Sequence, residues 1–97
     1  MSGGQNPFHH PKFVAQFATW IYELDEEGLR VSLQEKGVFS AGNIRVLRRL
    51  QGTGSHNAKV LELLTPGGAP VFLLLCKAIR GMSKYYESQC DAMLLLV

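Results

Sequence analysis

The sequence predicts an all-α protein, a bundle of six short antiparallel helices, and three observations support this. Apolar residues recur at intervals of three and four along most of the chain, which places them on one face of a helix. Turns rich in Gly and Pro separate these segments, and Ser residues stand where helix N-caps are expected. No segment alternates between apolar and polar residues over a length that would indicate a β-strand.

The composition indicates one globular domain. The chain has 97 residues, of which 46% are hydrophobic and 19% charged, and this excludes a disordered chain. The net charge of +2 is too small to indicate nucleic-acid binding by itself. The two cysteines, Cys76 and Cys90, lack the spacing of metal ligands and are too few for a disulfide scaffold. Both fall in apolar helical segments, so we expect buried, reduced thiols. The longest apolar runs are far shorter than the roughly 20 residues of a membrane span, so we expect a soluble cytoplasmic protein without membrane contact.

The first helix is expected to bend or break. Residues 1–11 are rich in Gly and polar residues and are predicted to be a flexible tail, while the domain occupies residues 12–97. An apolar stripe then defines a helix up to Leu24. Gly28 weakens helix propensity just beyond it, and the acidic residues beside Gly28 suit the first turn of a new helix. We therefore expect a bend or break near Asp25 to Gly28.

The junction between the second and third helices carries the strongest local signals. Lys36 suits the last turn of a helix, and Gly37 can adopt the left-handed conformation that ends one. Ser40 is then a natural N-cap. Phe39 and Ile44 have the spacing of a hydrophobic staple around it.

The remaining helices are predicted from their apolar faces. The third helix has Ile44, Leu47 and Leu50 facing inward. The fourth follows Ser55 and has Ala58, Leu61 and Leu64 facing inward. The fifth begins at Pro70 and presents Phe72, Leu75, Cys76 and Ile79. The sixth follows Ser83 and presents Tyr86, Cys90, Met93 and Leu94.

Three stretches resemble one family of helical bundles. They are Leu33-Gln-Glu-Lys-Gly-Val-Phe-Ser40, Asn57-Ala-Lys-Val-Leu-Glu-Leu-Leu64, and Gly68-Ala-Pro-Val-Phe72 with Cys76-Lys-Ala-Ile79. Their order and spacing are similar to those of the caspase recruitment domain (CARD) of the death-fold superfamily, over about residues 12 to 95. Death, death-effector and pyrin domains share the bundle, but their second-helix turn and fifth helix are less similar to those of this chain.

The resemblance implies a six-helix Greek-key death fold that binds other CARD-containing proteins. Such partners are initiator or inflammatory caspases and their adaptors, and assembly promotes or blocks apoptotic and inflammatory signalling. The family has no catalytic or cofactor residues, so no enzyme activity and no cofactor are expected. A caspase prodomain, an adaptor and a CARD-only regulator or decoy remain open as roles.

Two groups of charged residues are the candidate binding surface. The acidic group lies at the junction of the first two helices and comprises Glu23, Asp25, Glu26 and Glu27. The basic group comprises Arg45, Arg48 and Arg49, whose spacing places them on one face of the third helix, with Lys59 on the fourth. The resemblance implies an acidic patch on helices 2 and 3, and the basic third helix departs from it. Self-association of acid against base is one alternative, and ordinary solvated helix faces are another.

Two other interpretations of the same residues are an enzyme and a nucleic-acid-binding module. An enzyme would need a nucleophile beside a base, a metal set or paired acids in a pocket, and no such set is evident. A helix-turn-helix-like nucleic-acid-binding module would place Arg45, Arg48 and Arg49 on phosphates. The small net charge and the nearby acids argue against this alternative.

Overall fold

The structure is a computed structural model that describes residues 6–97, and these residues are helical without any β-strand. The α-helices are α1 (Pro11–Glu23), α2 (Glu26–Glu35), α3 (Ala41–Leu50), α4 (His56–Leu64), α5 (Gly68–Met82) and α6 (Glu87–Leu94). Short 3-10 turns occupy Pro7–His9, Thr65–Gly67 and Lys84–Tyr86. The predicted all-α class is therefore confirmed.

Residues 7–11 are folded, although the sequence predicts them to be part of a flexible tail. Phe8 is buried, and its ring meets the rings of Phe13 and Phe72 edge-on, each at a centroid distance of 5.3 Å. Sequence periodicity cannot detect this contact, because Phe8 is an isolated apolar residue in a polar stretch. The buried aromatic ring of Phe8 packs the segment against the core.

A hydrogen bond supports the same segment from the other side. The side-chain Nδ2 of Asn6 donates to the carbonyl oxygen of Thr65 at 2.8 Å, and Pro7 is buried. The segment before α1 is thereby attached to the turn between α4 and α5. Residues 1–5 of the predicted tail lie outside the described residues.

The predicted break after the first helix is confirmed, and it lies at Leu24 and Asp25. Both residues have extended backbone conformations, and the Leu24 N–H donates to the Trp20 carbonyl oxygen as α1 ends. Gly28 lies within α2 and does not mark the break itself.

The predicted junction between α2 and α3 is also confirmed. Gly37 has a φ of 78°, in the left-handed region. The Ser40 hydroxyl accepts a hydrogen bond from the Asn43 N–H at 3.0 Å, and the Asn43 side chain accepts one from the Ser40 N–H at 3.0 Å. Phe39 and Ile44 are both buried beside this cap. The junction fixes the direction in which α3 leaves α2, and thus the position of its arginines.

The hydrophobic core is centred on α5, which packs against α2 and α6. The residues of α5 and α6 that were predicted to face inward are buried, except for the half-buried Leu94. The predicted inner face of α4 is wrong in part. His56, Val60 and Leu64 are buried, whereas Ala58 is exposed and Leu61 only half-buried. Leu50 of α3 is likewise half-buried.

One helical stretch, His56–Met82, is long and apolar enough to cross a membrane by length and composition. The core helix of a soluble protein passes the same test, so the finding is weak evidence for a membrane span. Here the stretch includes α5, whose side chains Phe72, Leu75 and Ile79 are fully buried in the bundle. Gly68, with a φ of 61°, also interrupts its helical backbone.

Candidate interaction surface on α2 and α3

An ion pair within the chain joins the acidic and basic groups that the sequence predicts as binding residues. The Nε of Arg48 on α3 donates to Oε1 of Glu27 on α2 at 3.2 Å, and its Nη2 bonds the other carboxylate oxygen. This is the bidentate geometry in which a guanidinium group binds a carboxylate. Both side chains remain about half exposed. Glu27 and Arg48 are therefore paired with each other in the chain without a bound partner.

Behind this pair lies a buried arginine that sequence reasoning missed. Arg30 is only 4% exposed, and its Nη2 donates to Glu27 Oε1 at 2.8 Å and to Gln51 Oε1 at 3.0 Å. Its Nη1 lies 3.8 Å from Oε2 of Glu26. A buried charge needs nearby opposite charge, and here two carboxylates supply it. The only signal in the sequence is that Arg30 follows Glu26 and Glu27 at helical spacing.

The two arginines hold Glu27 in its charged form. The hydrogen bond from Arg48 has the largest effect, followed by that from Arg30, and they lower the pKa of Glu27 from 4.5 to about 2. The same bond with Glu27 raises the pKa of Arg48. The pair is consequently ionised on both sides at physiological pH.

A buried histidine extends the polar cluster to α4. His56 is 4% exposed, and its Nδ1 lies 3.0 Å from the Asn57 side-chain oxygen. Its Nε2 lies 3.9 Å from Oε2 of Glu26. Within residues 6–97, Nε2 of His56 and Nε and Nη1 of Arg30 are the buried side-chain atoms without a hydrogen-bond partner. Glu26 thus lies between two buried basic side chains and is itself only partly exposed.

The other two predicted basic residues of α3 are available to a partner. Arg45 and Arg49 are exposed, and neither forms an ion pair in the described part of the chain. A shallow groove between α2 and α3 has Arg45 and Arg48 along one side. Its lining consists of Gln34, Ala41, Ile44, Arg45 and Arg48. The planar guanidinium group of Arg45, which has no ion-pair partner in the described residues, can bind a carboxylate that extends from an adjacent surface.

The predicted acids at the end of α1 are also exposed. Among the residues that the structure covers, neither Glu23 nor Asp25 forms an ion pair. Tyr22 beside them is 93% exposed, which sequence reasoning did not single out. With Asp25 and Glu26 it lines an open concave surface that reaches Gly52 in the connection between α3 and α4. This surface is negatively charged.

Lys59 does not join either group by a contact. Its Nζ lies 3.2 Å from Oε1 of Glu62, one turn further along α4. The pair lies on the exposed side of its own helix, where such interactions contribute little to stability.

The remaining chemistry-bearing residues are separate from this surface. Cys76 and Cys90 are buried free thiols, as predicted. Burial raises the pKa of Cys76 to about 12 and that of Cys90 to about 11, so both are protonated at neutral pH. Over residues 6–97, no three His, Cys, Asp or Glu side chains are grouped so that they could share a metal ion.

Comparison of the chain with protein-family models, with curated proteins and with solved structures gave no match. The functional assignment therefore depends on the sequence resemblance, the all-α fold and the geometry of the charged surface.

Proposed function

We propose that this chain is a protein-interaction module of the CARD type, which binds other CARD-containing proteins through charged surfaces. The observation that carries the proposal is that both polarities remain exposed after folding. Arg45 and Arg49 on α3, and Glu23 and Asp25 at the end of α1, make no ion pair within the described residues. Surfaces of opposite charge speed the encounter of two proteins and fix their orientation.

The resemblance supplies the biological context of the proposal. The helices adopt the six-helix antiparallel Greek-key arrangement of a death fold. The partners are a caspase, an adaptor or a second copy of this chain, and binding takes place in the cytoplasm during apoptotic or inflammatory signalling. The chain acts as a prodomain, an adaptor or a CARD-only regulator or decoy, without catalysis, cofactor or membrane contact.

Nucleic-acid binding is the alternative, and the exposed Arg45 and Arg49 on α3 are its supporting observation. A Lys or Arg side chain contributes to DNA affinity by neutralising a phosphate, which releases counterions from the DNA. Such a side chain must therefore be free of other ion pairs. Arg48 is already neutralised by Glu27, which leaves two of the three predicted arginines for such contacts. A salt-sensitive mobility shift of duplex DNA would favour this alternative over the CARD proposal.

Sedimentation and electron microscopy at low and high salt, followed by binding to a panel of CARDs, test the proposal. We expect salt-sensitive self-assembly, or binding to at least one member of the panel. The double variant Arg45→Glu/Arg49→Glu should abolish it. The control Lys77→Glu/Lys84→Glu changes exposed residues elsewhere by the same charge and should retain it.

Two results would contradict parts of this proposal. A monomer that binds no CARD at any salt concentration would exclude the proposed function. Equal loss of binding in both double variants would exclude the α3 face, since a general charge effect would then explain the loss.

A further inference from the structure

We infer that Arg45 and Arg48, which line the α2–α3 groove, form a carboxylate-binding site, and that Glu27, which lies outside the groove lining, already occupies Arg48. A partner surface bearing at least two carboxylates then binds by pairing with Arg45 and replacing Glu27 on Arg48. This inference rests on the proposed function as an interaction module and specifies the chemistry of the partner.

The position of Glu27 shows which ligand the site fits. Its Oε1 accepts from Arg48 Nε at 3.2 Å and from Arg30 Nη2 at 2.8 Å, and its Oε2 bonds Arg48 Nη2. The carboxylate is thus held between guanidinium groups from two helices. Planar guanidinium groups bind carboxylates through such paired bonds, so a carboxylate from another protein fits the same place.

Arg45, the other arginine of the groove, is free of ion pairs within residues 6–97. Arg45 lies three residues before Arg48 on the same face of α3, and both line the groove with Ile44 and Gln34. In the described part of the chain Arg45 has no ion-pair partner, whereas Arg48 has Glu27. Of the two arginines that line the groove, a single carboxylate can therefore pair only with Arg45. A second one must compete with Glu27.

The exchange is feasible because Glu27 lies at the surface and Arg30 has other partners. The side chain of Glu27 is 48% exposed, and ion pairs of this exposure contribute little net stability. If Glu27 turns away, Arg30 keeps Gln51 at 3.0 Å and Glu26 at 3.8 Å. The buried guanidinium is therefore not left without opposite charge. Glu27 acts as an internal competitor, which lowers the affinity of the groove for partner surfaces that carry few carboxylates.

A cycle of variants measured against a fluorescently labelled oligo-glutamate peptide tests the inference. We expect Glu27→Gln to tighten binding about fivefold, the effect of freeing one exposed charged pair. The double variant Glu27→Gln/Arg48→Gln should return to the wild-type affinity. The control Glu62→Gln removes the same charge and frees the cation Lys59 on α4, so it should leave the affinity nearly unchanged. Circular dichroism verifies that each variant is folded.

Equal tightening by Glu27→Gln and Glu62→Gln would overturn the inference, because net charge alone would then explain the gain. A gain that persists in the double variant would overturn it as well. Should Glu27→Gln fail to fold, the single variants Arg45→Gln and Arg48→Gln still decide. Arg45→Gln should weaken binding more, and an equal or larger effect of Arg48→Gln would refute masking by Glu27. The peptide assay needs no CARD partner, so its failure is distinguishable from failure of the proposed function.

Discussion

Replacing Phe8 by Ala should destabilise the protein, although Phe8 lies outside the α-helices. The side chain is 2% exposed and contacts the rings of Phe13 and Phe72, each at 5.3 Å. Truncation of a buried Phe to Ala costs about 3–5 kcal/mol through lost contacts and cavity formation. Because the short segment before α1 can detach while the helices stay packed, we expect the lower end, about 3 kcal/mol. In a domain of this size that loss lowers the Tm by about 15 °C.

Thermal and urea denaturation followed by circular dichroism measure this effect. Leu73→Ala is the matched control, because Leu73 is apolar but 45% exposed on α5, and its loss should be within about 0.5 kcal/mol. Phe72→Ala is the positive control and should cost about 3–5 kcal/mol, since Phe72 is fully buried in α5. If Phe8→Ala matches Leu73→Ala while Phe72→Ala is strongly destabilised, the segment before α1 does not contribute to the core.

Three further predictions concern other parts of the chain. Because its pKa is lowered from 4.5 to about 2, ionised Glu27 gives the fold a small stabilisation above pH 4.5, and this stabilisation is lost as the pH falls towards 2. The difference in urea midpoint between wild type and Glu27→Gln should decrease between pH 4.5 and pH 2. A difference that stays constant over this range would contradict the predicted stabilisation. Cys76 and Cys90 should react with a thiol reagent only at the rate of unfolding, so rapid labelling of the native protein would disprove their burial. Gly37→Ala should destabilise the protein by about 1 kcal/mol, because residue 37 has a left-handed backbone conformation. Gly81→Ala in α5 should stabilise it slightly, because alanine favours a helix more than glycine does. Equal effects of the two substitutions in urea denaturation would contradict this prediction.

The features predicted correctly are those whose signals are local in the sequence. Gly37 and Ser40 determine a helix end and a helix start through their own backbone and side-chain properties, so neighbouring residues suffice to recognise the junction. The face of α4 is a different case. Leu64 shares one face with Ala58 and Leu61 at the spacing of three, and another with His56 and Val60 at the spacing of four. Both are helical, and only packing against the other helices chooses between them.

The exposure of most of the candidate residues could be predicted from the sequence, but the pairing between Glu27 and Arg48 could not. The spacing of Arg45, Arg48 and Arg49 places them on one side of a helix, and the structure shows Arg45 and Arg49 exposed there. That Arg48 reaches Glu27, 21 residues earlier in the chain, depends on how α3 packs beside α2. Arg30 was missed for a related reason. Arginine is rarely buried, so its place inside the bundle follows only from the carboxylates around it.

A hydrogen bond between α1 and α6 places a tryptophan where its fluorescence reports on the packing of α6. Trp20 is the single tryptophan of the chain, is fully buried, and donates through Nε1 to the Gln89 side-chain oxygen at 2.7 Å. Its fluorescence should be blue-shifted and shielded from ionic quenchers as long as α6 stays docked on α1. Detachment of α6 during assembly would shift the emission to the red, whereas binding confined to the α2–α3 groove would leave it unchanged.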